Sequence, residues 1–149
     1  MFPGPIASLR RFPALFCGIA FILGLAGCGP KGPKLVQVGG KVTVGDKPVT
    51  NGTVIFYPDR ARGNTSLEEP RGDIDAEGNY KLLTGAKSGA AAGWYKVAVT
   101  AAEKIDPNNP YFTKWLIPEK YIDPKTSKLE FEVVENPPAG AYDIKLSPK

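Results

Sequence analysis

An alternation of apolar and polar residues with a period of two is the feature that most constrains how this chain can fold. Such alternation places successive side chains on opposite faces of an extended strand, one face buried and the other toward solvent. It recurs in KVTV (41–44), TVIFYP (53–58), YKLL (80–83), WYKVAVTA (94–101), LEFEV (129–133) and AYDIKL (141–146). Many of the 17 glycines and 15 prolines fall between these segments, which is typical of turns. The pattern predicts an all-β chain that forms one β-sandwich of about seven strands.

The predicted inward side chains of these strands form one apolar set. They are Val42, Val44, Val54, Phe56, Tyr95, Val97, Val99, Leu129, Phe131, Val133, Tyr142, Ile144 and Leu146. No segment after the amino-terminal apolar run has the spacing of an amphipathic helix. We therefore expect two packed sheets and no helical layer.

Segments along residues 36–147 also resemble the carboxypeptidase regulatory-like domains, a transthyretin-like or immunoglobulin-like family of seven-stranded sandwiches. The segments are GGKVTVGDKPVTNGTVIFYPD (39–59), DIDAEGNYKL (73–82) and GAAAGWYKVAVT (89–100). PEKYIDPKTSKLEFEV (118–133) further resembles small bacterial lipoproteins built on this domain. The resemblance implies the fold, over residues 35–149, and carries little information about activity.

The amino-terminal segment reads as an export signal. Arg10 and Arg11 precede an apolar run that ends at Cys28 and falls short of the roughly 20 residues needed to span a bilayer. LAGC (25–28) resembles the lipobox of bacterial lipoproteins, which implies cleavage before Cys28 and acylation of its thiol. The alternative is an ordinary secretory signal in which the cysteine is there by chance.

We therefore predict three regions: a signal peptide (1–27), a lipid-anchored cysteine with a tether (28–34) and the sandwich domain (35–149). The membrane lipid is then a partner, reached through acylated Cys28, and the protein lies in the cell envelope. Gly29 is not the aspartate that often retains lipoproteins at the inner membrane. This favours the outer membrane, on its periplasmic or surface face.

Composition argues against several classes of function. Removing residues 1–27 takes away two arginines and lowers the formal charge from +4 to +2, too little for a nucleic-acid partner. Cys17 leaves with the signal and Cys28 becomes a thioether, so the mature domain has no free thiol. The chain has no histidine, the commonest general base and zinc ligand. We predict a chain without enzymatic activity or cofactor.

DIDAEGNY (73–80) admits two interpretations. Asp73, Asp75, Glu77 and Gly78 match positions 1, 3, 5 and 6 of an EF-hand calcium loop, but position 12 is Thr84 where that loop needs glutamate. The same residues suit a hairpin turn in which an acidic side chain caps the bend and glycine adopts positive φ. The turn is the favoured interpretation.

Residues 103–121 form a long, proline-punctuated segment with four aromatic residues, Tyr111, Phe112, Trp115 and Tyr121. Long loops in compact domains are often functional or pack as flaps. The segment either covers an open edge of the sandwich, which is favoured, or displays an aromatic surface for a glycan or a protein. The polar loop at 58–72 is predicted to be a solvated excursion.

These observations predict a binding or structural module in the envelope that holds a protein or a glycan near the membrane. The alternative is a subunit of an envelope or secretion assembly that pairs an edge strand with a partner. An enzyme is the least favoured class.

Overall fold

The computed structural model describes residues 32–103 and 114–148. They belong to one compact unit, Gly32–Lys149, which is distinct from Met1–Lys31. The predicted signal peptide and Cys28 lie outside the described residues. No helix in the described part of the chain is long and apolar enough to cross a membrane.

The described residues form short strands joined by turns, with two 3-10 turns at Arg60–Arg62 and Glu119–Tyr121. The strands are β1 Leu35–Val36, β2 Gly39–Val44, β3 Lys47–Pro48, β4 Thr53–Pro58, β5 Arg71–Asp73, β6 Asn79–Lys81, β7 Leu83–Thr84, β8 Lys87–Ser88, β9 Ala90–Ala91, β10 Gly93–Thr100, β11 Leu129–Val133 and β12 Ile144–Leu146. The all-β class is therefore confirmed. Several elements are only two residues long, because turns interrupt the backbone pairing at short intervals.

The strands build three sheets. A six-stranded sheet has the order β11-β10-β4-β5-β7-β8, and a second sheet has the order β12-β2-β3 with β6 also paired to β2. A third sheet consists of β1 paired with β9. The arrangement is that of a β-sandwich, whereas the seven-strand count of a transthyretin-like domain stays a prediction.

The core lies where the predicted apolar faces meet. In β10, Tyr95, Val97 and Val99 are fully buried, and in β4, Val54 and Phe56 are too. From the other large sheet, Val42, Ile144 and Leu146 join the same cluster. Leu129, Phe131 and Val44 are only partly buried at its margin. Burial thus follows the period of two in the sequence pattern, because a strand turns alternate side chains inward, except at Ala98, which lies on the other face of β10 and is buried as well.

The last strand runs parallel to its neighbour, whereas an antiparallel meander would make it antiparallel. β12 pairs with β2 in parallel, with Ile144 opposite Val42 and Leu146 opposite Val44. Asp143 strengthens this junction, because its Oδ1 accepts a hydrogen bond from the Lys41 backbone amide at 2.9 Å. The carboxyl-terminal strand therefore closes the sheet beside the first long strand of the domain.

Candidate partner surface around Trp115 and its counterpart at the tether

The chain beyond β10 returns to the strand through a short antiparallel bridge. Ala102 pairs with Trp115, and the Glu103 amide donates to the Lys114 carbonyl at 2.9 Å. The Leu116 amide donates to the Ala101 carbonyl, also at 2.9 Å. These bonds fix the position of Trp115, whose side chain is half-buried. Part of the indole thus stays accessible, while the sheet holds the backbone of Trp115 in place.

An ion pair lies beside this bridge. Lys114 Nζ is 2.6 Å from Glu103 Oε1, and both side chains are largely exposed. An exposed pair of this kind contributes little to stability, typically about 0–1 kcal/mol. Because successive side chains of an extended segment point to opposite faces, the pair lies on the face opposite the Trp115 side chain.

The burial of Tyr121 contradicts the prediction that four aromatic residues form one exposed surface. It is only 5% exposed, and its hydroxyl accepts a hydrogen bond from the Ser147 amide at 2.9 Å. Burial raises the pKa of Tyr121, but the hydrogen bonds from Ser147 and the charge of Lys120 lower it by more, so the pKa lies below its ordinary value. Tyr121 joins the 3-10 turn to the carboxyl-terminal segment and is part of the packed fold.

The neighbouring Ile117 is fully buried and belongs to the main core cluster, so this part of the segment packs as a flap. Tyr111 and Phe112 lie outside the described residues. Of the four predicted aromatic residues, Trp115 is the described one that presents a partly accessible side chain.

The ends of β10 carry different features. At its start, Leu35 pairs with Ala91, so the chain that comes from the tether joins the domain just before Gly93. At its other end, Thr100 leads directly into the Ala102–Trp115 bridge. β10 has 8 residues and is therefore about 24 Å long. β1, which pairs with β9 just before the start of β10, and the Trp115 bridge therefore lie at opposite ends of the same strand.

The loop at 59–70 is anchored at the Gly93 end of β10, and the prediction of a solvated excursion at 58–72 is wrong for four of its residues. Asp59, Asn64, Pro70 and Gly72 are buried. Asn64 Nδ2 donates to the Trp94 carbonyl at 2.9 Å, and its Oδ1 accepts from the Ser66 amide at 3.0 Å. Buried polar groups need such partners, so these two bonds hold the loop against β10.

The first part of this loop is a capped 3-10 turn. Asp59 Oδ1 accepts from the Ala61 amide at 3.1 Å, and Gly63 ends the turn at φ 81°, where glycine is favoured. The aspartate and glycine that flank Arg60–Arg62 are a local signal from which this turn could have been predicted, although it was not. The burial of Asn64 has no comparable local signal.

Arg62 links the loop to the outer face of the six-stranded sheet. Its guanidinium lies 4.5 Å from the Trp94 ring centroid and forms an ion pair with Glu130 of β11. Its Nε is also 3.6 Å from Asp59 Oδ2. A stacked arginine of this kind both orders the loop and covers part of the indole.

A cleft of about 440 Å³ opens between this loop and the tether end of the sheet. It is lined by Pro33, by loop residues 62–68 and by residues 91–93. Its walls combine backbone, small side chains and the hydroxyls of Thr65 and Ser66. The volume lies in the range of small-ligand clefts, although this one is open to solvent on a wide side.

The stretch DIDAEGNY forms a hairpin turn between Ile74 and Tyr80, which pair across it. Asp75 accepts from the amides of Glu77 and Asn79 at 3.0 and 2.7 Å and from the Asn79 side chain at 3.1 Å. Gly78 has φ 87°. Partial desolvation raises the pKa of Asp75, but the N–H donors of Asn79, Glu77 and Gly78 lower it by more. Its carboxylate is thus engaged by the turn, as the favoured interpretation predicts.

Ser127, which precedes Lys128, is buried and is also engaged in the fold. Its hydroxyl donates to the Val97 carbonyl at 2.6 Å and accepts from the Leu129 amide at 3.3 Å. It therefore caps the start of β11.

Across residues 32–103 and 114–148, no three or more histidine, cysteine, aspartate or glutamate side chains come together in a way that could hold a metal ion. A comparison with protein-family models, with curated proteins and with solved structures finds no match for this chain.

Proposed function

We propose that this chain is a bacterial envelope lipoprotein whose carboxypeptidase regulatory-like sandwich presents the Trp115 end to a protein or a glycan. In this proposal the signal peptide is removed before Cys28, the thiol of Cys28 is acylated, and residues 29–34 are the tether. The domain acts without catalysis, as a binding or structural module close to the membrane.

The observation that carries the proposal is the arrangement of the two ends of β10. An anchor at Cys28 holds the Gly93 end of the strand close to the bilayer, because only six residues, 29–34, lie between Cys28 and Leu35, a reach of at most about 23 Å. The Ala102–Trp115 bridge then lies about 24 Å further along the strand, away from the tether. That position suits a surface that meets a partner in the periplasm or outside the cell.

Rigid support for Trp115 favours a binding role for this end. The two backbone bonds on either side of Trp115 hold it on the sheet, and the buried Ile117 fixes the chain that follows. A partly exposed tryptophan on a rigid backbone loses little conformational entropy on binding, which is the usual property of an interface anchor.

The polar groups best placed for chemistry are engaged in the structure, which supports a role without catalysis. Ser127, Asp75 and Asn64 each have their hydrogen-bonding groups directed at the backbone of turns or strands. A catalytic serine or carboxylate needs a free atom directed at substrate and a neighbouring acid or base.

The structure gives less support to the alternative of an assembly subunit that pairs through a sheet edge. The terminal strands of the six-stranded sheet are β11, which carries exposed Glu130 and Glu132, and β8, which is 2 residues long and includes exposed Lys87. Short edges and charged edge residues are the means by which proteins prevent edge-to-edge pairing.

The experiment is a pull-down from detergent-solubilised membranes with the lipidated protein as bait. Trp115→Ala is the test variant, and Trp94→Ala, at the tether end of β10, is the matched control. We expect one partner at a fixed ratio with the wild type and with Trp94→Ala, and its loss with Trp115→Ala. A partner retained by Trp115→Ala and lost with Trp94→Ala would contradict the assignment of the binding end.

A glycan partner is tested on the same three proteins by tryptophan fluorescence. Added envelope polysaccharide should quench the emission of the Trp94→Ala variant, which retains Trp115, and leave that of Trp115→Ala unchanged. Quenching of neither variant, together with an empty pull-down, would refute a binding role for this end.

A further inference from the structure

Leu67 is the most exposed of the large apolar side chains in the described residues. It is 86% exposed, compared with 46% for Leu83 and 38% for Leu116. Single apolar residues on a surface are common and need no explanation by themselves. The position and the support of Leu67 are what distinguish it.

Leu67 lies at the tether end of the domain. It lines the same cleft as Pro33, and its loop is bound to the first residues of β10 through Asn64 and Trp94. Pro33 follows Cys28 by five residues, a reach of about 17 Å at most. An anchor at Cys28 therefore keeps Pro33 within that reach of the bilayer, and the Leu67 loop lines the same cleft as Pro33.

The loop holds Leu67 outward on a fixed backbone. Asn64 bonds to the Trp94 carbonyl and to the Ser66 amide, and the Ser66 hydroxyl contacts the Glu68 backbone at 3.4 Å. Little conformational freedom remains to be lost when such a side chain enters an apolar phase. A mobile loop tip would lose more conformational entropy on making the same contact.

Charges at this end of the domain are mixed in sign. Lys34 and Arg60 are exposed, and so are Glu68, Glu69 and Glu135. Lys34 is paired with Glu135 at 2.8 Å. Attraction to anionic headgroups is therefore a small contribution here, and the contact available to a membrane is the apolar one at Leu67.

We propose that Leu67 inserts into the lipid surface as a second membrane contact, which orients the domain with the Trp115 end outward. The inference rests on the proposed acylation of Cys28, since one leucine alone is too small to bind a membrane. Acyl chains supply the affinity, and Leu67 restricts the rotation of the domain about its tether.

The test uses the mature lipidated protein in vesicles of phosphatidylethanolamine and phosphatidylglycerol. Leu67→Cys is labelled with an environment-sensitive fluorophore, and Leu116→Cys, at the opposite end of β10, is the matched control. Because Cys17 is lost with the signal and acylation blocks Cys28, each variant has a single reactive thiol. Half of the samples contain lipids with a nitroxide in the acyl chain.

We expect a blue-shifted emission at position 67 that the nitroxide lipid quenches, and neither effect at position 116. Equal emission and equal quenching at both positions, or an unquenched label at position 67, would overturn the proposal. The intact mass of the same sample separates the two hypotheses. A mass without acyl chains refutes the lipid anchor, whereas an acylated protein with an unquenched label refutes only the Leu67 contact.

Discussion

Asn64 offers the sharpest test of the loop that forms the tether end of the domain. Asn64 is 6% exposed. Its side chain donates one hydrogen bond to the Trp94 carbonyl and accepts another from the Ser66 amide. Asn64→Ala removes both bonds. Asn64→Asp keeps the acceptor for Ser66 but places an oxygen where the Trp94 carbonyl needs a donor.

The magnitudes follow from what each variant leaves behind. For Asn64→Ala we expect a loss of about 2 kcal/mol in the free energy of unfolding, about 1 kcal/mol for each hydrogen bond. The Trp94 carbonyl is not orphaned, because the Asp59 amide also donates to it at 2.9 Å. For Asn64→Asp we expect about 3 kcal/mol at neutral pH, since a carboxylate is desolvated beside a carbonyl oxygen.

The order of the two variants reverses with pH. Burial beside a carbonyl raises the pKa of the introduced carboxyl above its unfolded value of about 3.9, so the folded state binds the proton more tightly. The stability of Asn64→Asp relative to Asn64→Ala therefore rises as the pH falls through the folded pKa. A protonated carboxyl donates to the Trp94 carbonyl, which restores the missing bond.

Urea unfolding at pH 7 and pH 4.5, followed by tryptophan fluorescence, measures these differences. The reasoning fails if Asn64→Asp is as stable as Asn64→Ala at pH 7, or if the difference between them does not change with pH. Either result would mean that the side chain of Asn64 does not bond to Trp94 as the structure has it.

Three further predictions concern the rest of the fold. Tyr80→Phe removes the hydrogen bond to the Tyr142 carbonyl and should cost about 1–2 kcal/mol at pH 7 by urea unfolding. Burial raises the pKa of Tyr80, so the protonated form is favoured by folding and wild-type stability should fall as the pH rises above the ordinary value of 10.0. Tyr80→Phe should lose less in that range, and equal losses would contradict the assignment. Ser127→Ala should cost about 1–3 kcal/mol, because the buried Val97 carbonyl loses its hydroxyl donor, and a neutral effect by thermal unfolding would speak against the cap. EDTA should leave the melting temperature unchanged, since the N–H groups of the turn engage Asp75, whereas a fall on chelation would revive the calcium loop.

The candidate site could be predicted only in part. The sequence placed Trp115 in a segment of functional interest but did not predict its pairing with Ala102. In the structure Trp115 is half-buried and its backbone is paired. Tyr121 was predicted on the same surface, yet it packs against the carboxyl-terminal segment through Ser147, 26 residues further along the chain. No local pattern encodes such a contact, because an aromatic residue after a proline suits a packed flap and an exposed surface equally well.

The class of fold and the turn at DIDAEGNY depend on interactions between residues close in sequence. The sequence by itself therefore determined both. Side chains of a strand alternate between two faces whatever its partners are, so TVIFYP and WYKVAVTA identified the inward residues Val54, Phe56, Tyr95, Val97 and Val99 without knowledge of the sheet order, whereas the burial of Ala98 and Ala101 was not predicted. Asp75 and Gly78 bond and bend within a few residues of one another, and their roles are therefore readable in sequence. The lipobox resemblance at Cys28 is likewise a local motif, and its acylation stays a prediction.

Only the tertiary structure decided which features lie together. It pairs β12 in parallel with β2 and buries Asn64 against Trp94, 30 residues away. It also separates β1 from Trp115 by the length of β10. These arrangements depend on which strands pair and in what order, and pairing is set by the packing of the whole core.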